Sequence, residues 1–536
     1  LLFILPLSIA VESANARYTP VTVRTNLTLS SGIWNGDCYK KSGLLVNGGS
    51  PGPPIIATEG DIVIVRVTNG HTKGITIHFH GVAQRGTPFA DGVPGISQLS
   101  ILPGEIYEYR WRADNSGTYF YHAHTRFDAS SVHGALIIHD PKEYLRYDDD
   151  RILLLNDYWH KNDEKLYDSI LNKPVVWVGQ PQAILLNGRA QESHGSSYSS
   201  IASSVSFPTT GCGYSTIPVA QGNTYRLRVI NAGALSYISL KIDGHSMALV
   251  EADGYRTTPI SVNHLQIGPG QRYSVLLKAD QEISSYWIRL SAIWDNSDAK
   301  IGGAGLLTYD GAMDITTAPP PIDTSASLHH PDWILPQVHA DSGGPIMPTK
   351  ADDVLTLTLS PLIRGNSTEK HMVNNVSYID RGSLMGTSLL DMAYREIDAS
   401  RSANALLKPI PSLSIYPKGT VLDVIIQLDA KSCLDTHPWH LHGHSFWDIG
   451  QGPGLYTETA GAKAMPFSPV HRDTSIVYSQ KDLDGANGCG WRRIRVKLDN
   501  PGIWPLHCHV HAHMVMGMMW LVGVGLDDLP PRAPLP

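Results

Sequence analysis

Alternation of apolar and polar side chains, the mark of a strand with one buried face, recurs along the chain. The run GDIVIVRVTN at 60–69 has this pattern and leads to His78-Phe79-His80-Gly81. Its echo, GTVLDVIIQL at 419–428, runs into His437-Pro438-Trp439-His440-Leu441-His442-Gly443. A tighter echo sets Asp114-Asn115-Ser116-Gly117-Thr118-Tyr119-Phe120-Tyr121-His122-Ala123-His124 against Asp499-Asn500-Pro501-Gly502-Ile503-Trp504-Pro505-Leu506-His507-Cys508-His509, with identical spacing from the Asp to the last His. The central third has strands of the same kind, at 222–233, 270–280 and 284–292, yet none ends in a His-x-His pair. Long-range repetition of this sort implies three similar β units, the middle one without histidine pairs. The fold class predicted is all-β.

Composition agrees. Only 17% of the 536 residues are charged, while Gly (49) and Pro (36) are plentiful, a balance suited to many short strands and turns. The length exceeds one core and fits about three domains. Boundaries fall near DPKEYLRYDDD (140–150) and in the Pro-rich stretch 316–333, which resists regular structure. The division expected is a signal peptide at 1–16, domains at 17–145 and 146–318, a linker at 319–350 and a third domain at 351–536. The run LLFILPLSIA (1–10), followed by small residues, is too short to span a bilayer and suits an export signal, so a secreted, extracellular or cell-wall protein is expected, with no membrane association. Sequons at Asn26, Asn366 and Asn375 are compatible with N-glycans. The net charge of -7 and the lack of a Lys/Arg block argue against a nucleic-acid partner.

The chemistry lies in four His-x-His units: His78/His80, His122/His124, His440/His442 and His507/His509. Residues i and i+2 of a strand project to one face, so each unit can offer two imidazoles to one site. Imidazole alone does not choose among copper, zinc, iron and nickel. Cys508 does, because it sits between two of these histidines, just before His513 and Met518, with His437 ahead of the His440/His442 unit. Two imidazoles, a thiolate and a weak thioether form a blue-copper electron-transfer set. If Cys508 binds one copper while His507 and His509 bind others, electrons have a short covalent route between centres. The reductant then needs only to approach His437 and His513, and dioxygen meets coppers held by the eight paired histidines.

These motifs resemble the multicopper oxidase family, especially fungal laccases and laccase-like pigment oxidases, with ascorbate oxidases as near relatives. HFHG, YHAH, HPWHLHG and HCHVHAHMVMGM stand in the family's order, and the resemblance covers nearly all of the chain after its first residues. It implies three cupredoxin-like Greek-key β-sandwich or barrel domains and four copper ions, one blue and mononuclear in the third domain, three in a cluster between the first and third. By the same resemblance His437, Cys508, His513 and axial Met518 hold the blue copper, and His78 and His440 the normal copper of the cluster. His80, His122, His124, His442, His507 and His509 would hold the coupled pair. Oxygen reduction consumes protons, and Asp91, in FADGVP, matches the family's aspartate near the cluster.

The chain also departs from relatives. Many carry Asp or Glu three residues after the cysteine, where this chain has His511. The phenol-binding carboxylate of several fungal laccases is missing after RLRVIN, and Gln98-Leu99 lacks the cysteine of a family disulfide. With Cys508 on copper, the other four cysteines allow three pairings; Cys38–Cys212 resembles a bridge of the family, which would leave Cys433–Cys489. The function implied is a diphenol:dioxygen oxidase, with pigment biosynthesis among its expected roles, acting as a monomer on a small aromatic or phenolic reductant. Ferroxidase and ascorbate oxidase are the alternatives, and a copper-binding protein without turnover is disfavoured by the complete ligand set.

Overall fold

The structure, a computed structural model, describes residues 18–190, 213–293, 301–313, 338–364, 367–430, 432–433, 435–466, 468–479 and 488–532. Six sheets pair into three sandwiches among these residues. In the first, strands Lys41–Val46, Thr22–Trp34, Ile62–Gly70 and Ile106–Arg112 form one sheet and Ile55–Thr58, His133–His139, Gly117–Ala123 and Ile77–His80 the other, each in that order. Strand Ile62–Gly70 shows why: Val63, Val65 and Val67 are fully buried while Arg66 is exposed. Burying each such valine contributes about 1.5–3 kcal/mol over leaving it in water. Their partners across the core include Tyr119, Tyr121, Leu136 and Ile138 from the second sheet.

The second and third sandwiches each pair a six-stranded with a five-stranded sheet. One parallel pairing recurs in all three units: Thr22–Trp34 with Ile62–Gly70, Asp149–Tyr158 with Thr224–Asn231, and Asp353–Arg364 with Val421–Asp429. So does a second, in the facing sheets: Ile55–Thr58 with His133–His139, Ser215–Val219 with Gly302–Tyr309, and Leu413–Tyr416 with Met519–Val524. The fold is therefore three Greek-key β-sandwiches of cupredoxin type: the alternation predicts three β units, and the family resemblance implies the cupredoxin type.

Helices are short. The longest among the described residues is Leu389–Asp398, and with Arg381–Met385 and Ala403–Leu407 it forms a helical segment inside the third unit that the strand pattern does not foreshadow. No helix among the described residues is long and apolar enough to cross a membrane. Cys433 and Cys489 are joined in a disulfide with Cα atoms 5.1 Å apart, and Cys38 is also disulfide-bonded. Its expected partner Cys212, the first sixteen residues and Asn366 lie outside the described residues. Asn26 and Asn375 are both exposed.

Candidate metal centre

Strand pairing brings the histidines together. Antiparallel register sets His78 opposite His122 in the first sandwich and His440 opposite His507 in the third, with Trp439 opposite Cys508. The eight paired histidines, although drawn from opposite ends of the chain, converge in one buried volume, with each side chain at most 4% exposed. Their nitrogens fall into three groups: His78, His80 and His440; His80, His122 and His509; and His124, His442 and His507. A fourth group is His437, Cys508 and His513. The spacing argument sends both rings of a unit to one site. That is true of His78/His80, but His122/His124, His440/His442 and His507/His509 each divide between neighbouring groups, because successive same-face positions along a strand reach different centres.

The hydrogen bonds fix which ring nitrogens are bare. Nδ1 of His442 donates to Asp91 Oδ2 (2.9 Å) and Nδ1 of His507 donates to Cys508 O (2.9 Å). Both Nε2 atoms then carry only a lone pair, yet they face each other at 3.0 Å. Two such lone pairs repel unless a cation sits between them. His78 likewise donates from Nδ1 to Asp91 O (2.7 Å) and His122 to Ala123 O (2.8 Å), while their Nε2 atoms, with those of His124 and His440, are buried and have no protein partner. Burial, reinforced by neighbouring imidazoles, holds His122, His124, His442, His507 and His509 well below the usual histidine range, so these rings are neutral and ready to ligate.

The fourth group sits on the strand and the turn around Cys508. Its Sγ lies 3.6 Å from His437 Nδ1 and 3.7 Å from His513 Nδ1, and those two nitrogens are 3.2 Å apart. His513 stands on the short helix His511–Val515 rather than on a strand. Met518 is buried in the same apolar cluster as Cys508 and Trp439, and the Cys508 N–H donates to the Met518 carbonyl (3.1 Å). Burial pushes the Cys508 thiol far up, so it becomes a thiolate only with a cation beside it.

Several neighbours carry no sequence signal. Asp473 Oδ1 lies 3.3 Å from His80 Nε2, and the Asp473 carbonyl accepts from His440 Nδ1 at 3.0 Å. Arg272, from the middle unit, donates to both oxygens of Asp473 at 2.7 and 2.6 Å. Burial works against that carboxylate, yet Arg272 and the two histidines hold it well below the ordinary range. At the other centre, the His371 ring lies 4.5 Å from His513, and the exposed Trp177 ring lies 5.6 Å from it.

Multicopper oxidase family models match residues 28–143, 149–312 and 387–527. The chain belongs to the multicopper oxidase family. Tobacco (Nicotiana tabacum) L-ascorbate oxidase is 35% identical over 94% of this chain and 90% of its own length. A laccase-like multicopper oxidase of Thermothelomyces thermophilus is 31% identical, covering 91% of this chain and 85% of that protein. The solved laccase of Botrytis aclada superposes with a TM-score of 0.75 at 26% identity, over 96% of this chain and 90% of that one. As a multicopper oxidase the chain is an oxidoreductase that uses dioxygen and carries four copper ions, one of the blue type and three in a trinuclear cluster. The donors fit that demand, since one thiolate-bearing group stands beside three all-imidazole groups whose facing nitrogens need a cation.

Proposed function

We propose that this multicopper oxidase is a secreted enzyme of laccase type, which takes electrons singly from a small phenolic or other aromatic reductant, pigment precursors among them, and passes four to dioxygen to give water. The observation that carries the substrate class is Trp177. Its indole is 40% exposed and tilts 34° from the His513 ring at 5.6 Å, with exposed Val176 and Leu171 nearby in the chain. A flat aromatic reductant stacked there gains apolar burial and ring–ring contact and lies close to His513 of the Cys508 group.

In this reading His437, Cys508, His513 and Met518 would hold the blue copper. His78 and His440 hold one copper of the cluster, and His80, His122, His124, His442, His507 and His509 hold the other two. When bound, the coppers supply one-electron acceptance at the blue centre and four-electron reduction of dioxygen at the cluster. The consecutive residues His507, Cys508 and His509 join the two centres through bonds of the chain itself. Asp91, fully buried, keeps the His442 tautomer fixed by accepting its Nδ1–H and is the acid assigned to proton supply. His511 occupies the position where relatives have a carboxylate. Burial lowers it to about 4, so it is neutral near pH 7 and receives no proton-donor role. Asn26 and Asn375, being exposed, suit the N-glycans of a secreted protein.

The identity shared with tobacco L-ascorbate oxidase favours a second reading, in which the same Trp177–His513 face receives ascorbate. Oxygen uptake measured in parallel with a p-diphenol, ascorbate and iron(II) separates the readings. The diphenol is expected to give the highest kcat/KM; a higher value for ascorbate or iron(II) overturns the laccase assignment.

A further inference from the structure

Asp91 is held from two sides. Its carbonyl accepts from His78, its carboxylate accepts from His442, and it closes the short turn Pro88–Ala90. Downstream the chain folds on itself: Val93 N donates to Ser97 Oγ (2.9 Å) and Gly95 N to Gln98 O (2.7 Å). This loop belongs to the first sandwich, yet the helical segment of the third sandwich is seated on it. Leu389 N donates to Gly95 O (3.0 Å) and Leu390 N to Ile96 O (2.9 Å). Val93 and Ile96 are buried in one apolar cluster with Leu389, Leu390 and Ala393.

The contact leaves no slack. Gly95 has φ +69, and a Cβ there would stand 1.7 Å from Asp380 Oδ1. A Cβ on Gly382 would stand 1.8 Å from Gly95 O, with the Gly95 Cα also within 3 Å. Asp380 itself is tied down, because its side chain caps the helix Arg381–Met385 by accepting from Ser383 N (2.9 Å). The two backbones touch where any side chain would force them apart.

We propose that residues 380–390 form a clamp that sets the position of Asp91, with Gly95 and Gly382 as positioning residues. The third sandwich thus fixes, from outside the metal centre, both the carboxylate that orients its own His442 and the carbonyl that orients His78 of the first sandwich. The proposal rests on the assignment of His78 and His442 to the trinuclear cluster.

The test compares Gly382→Ala, Asp91→Asn and their double variant as copper-loaded proteins, and reads blue absorption, the paramagnetic-resonance signal of the cluster and copper retained against a chelator. Gly382→Ala is expected to weaken cluster copper retention about tenfold or more, the usual effect of disturbing groups that orient metal ligands, with the blue band unchanged. In the double variant it should add far less than it does alone, because both changes act through one carboxylate. Tyr394→Phe, which removes the Tyr394 hydroxyl's bond to Pro530 O (2.7 Å) in the same segment, should lower the melting temperature without altering the cluster signal. If Gly382→Ala does not fold, Leu390→Ala loosens the same seat and should give the same pattern. Unaltered cluster signals in the clamp variant, equal effects from Tyr394→Phe, or full additivity with Asp91→Asn would overturn the clamp. An unaltered cluster signal in His442→Ala would instead overturn the ligand assignment beneath it.

Discussion

Replacing Arg272 with methionine removes a guanidinium that donates to both carboxylate oxygens of Asp473 in a fully buried setting. Arg272 donates twice to Asp473, and also to Thr118 O (3.0 Å) and Gly270 O (3.0 Å), so it joins the middle unit to both metal-bearing units. Neither side chain exceeds 1% exposure, so water does not take over the lost contacts. Removing one partner of such a pair costs about 3–5 kcal/mol, because the remaining charge is stranded away from solvent. At a urea dependence of roughly 3 kcal/mol per molar, the unfolding midpoint of the copper-free protein should fall by about 1 M or more. Adding Asp473→Asn to the same chain removes the stranded charge, and the double variant should recover part of the loss, with a coupling of about 0.5–3 kcal/mol. Urea titration of the wild type, both single variants and the double variant measures each quantity. A loss under about 1 kcal/mol for Arg272→Met, well below the buried-pair range, would refute the reasoning, as would simple additivity.

Three other outcomes follow from the same geometry. Trp177→Ala should raise KM for a diphenol about fivefold with little change in kcat, because a stacking contact of about 1 kcal/mol is lost; steady-state oxygen uptake reads this. Met518→Leu should raise the reduction potential of the blue centre by removing the thioether proposed as its fourth ligand, and a redox titration showing no change would remove Met518 from the ligand set. His471, packed between Trp447 (4.6 Å) and Tyr255 (4.1 Å), is lowered by burial from 6.5 to about 3. The unfolded chain therefore takes up a proton below pH 6.5 that the folded chain refuses, and stability falls as pH drops from 6.5 toward 3. Between pH 6.5 and 4.5 the share of this group in the loss is about 2 kcal/mol, and His471→Phe should make that part of the profile shallower by that amount while the other buried histidines go on contributing.

Much of this was legible in the sequence because its signals are local. Valine alternation at 60–69 sets which face is buried, and the repeated Asp-to-His spacing at 114–124 and 499–509 announces two similar strands that end in paired histidines. Cys508 between two histidines chooses copper without any knowledge of the fold. What was not legible depends on contacts between distant segments. Arg272 and Asp473 are ordinary strand and turn residues until three sandwiches meet. The division of His507 and His509 between different groups reflects how strands cross the cluster, which period-two alternation does not encode. The helical segment 381–407 interrupts the β pattern, and its role appears only where Gly382 meets Gly95. Trp177 lies on a loop whose sequence carries no periodicity at all.

Copper counting on purified wild type and on Cys508→Ser, with visible absorption recorded on the same samples, tests the central claim most directly. Four coppers and an intense blue band are expected for the wild type, and three coppers with no blue band for the variant, because the Cys508 group shares no residue with the three imidazole groups. A wild type holding far fewer than four, or a Cys508→Ser protein that stays blue, would contradict it.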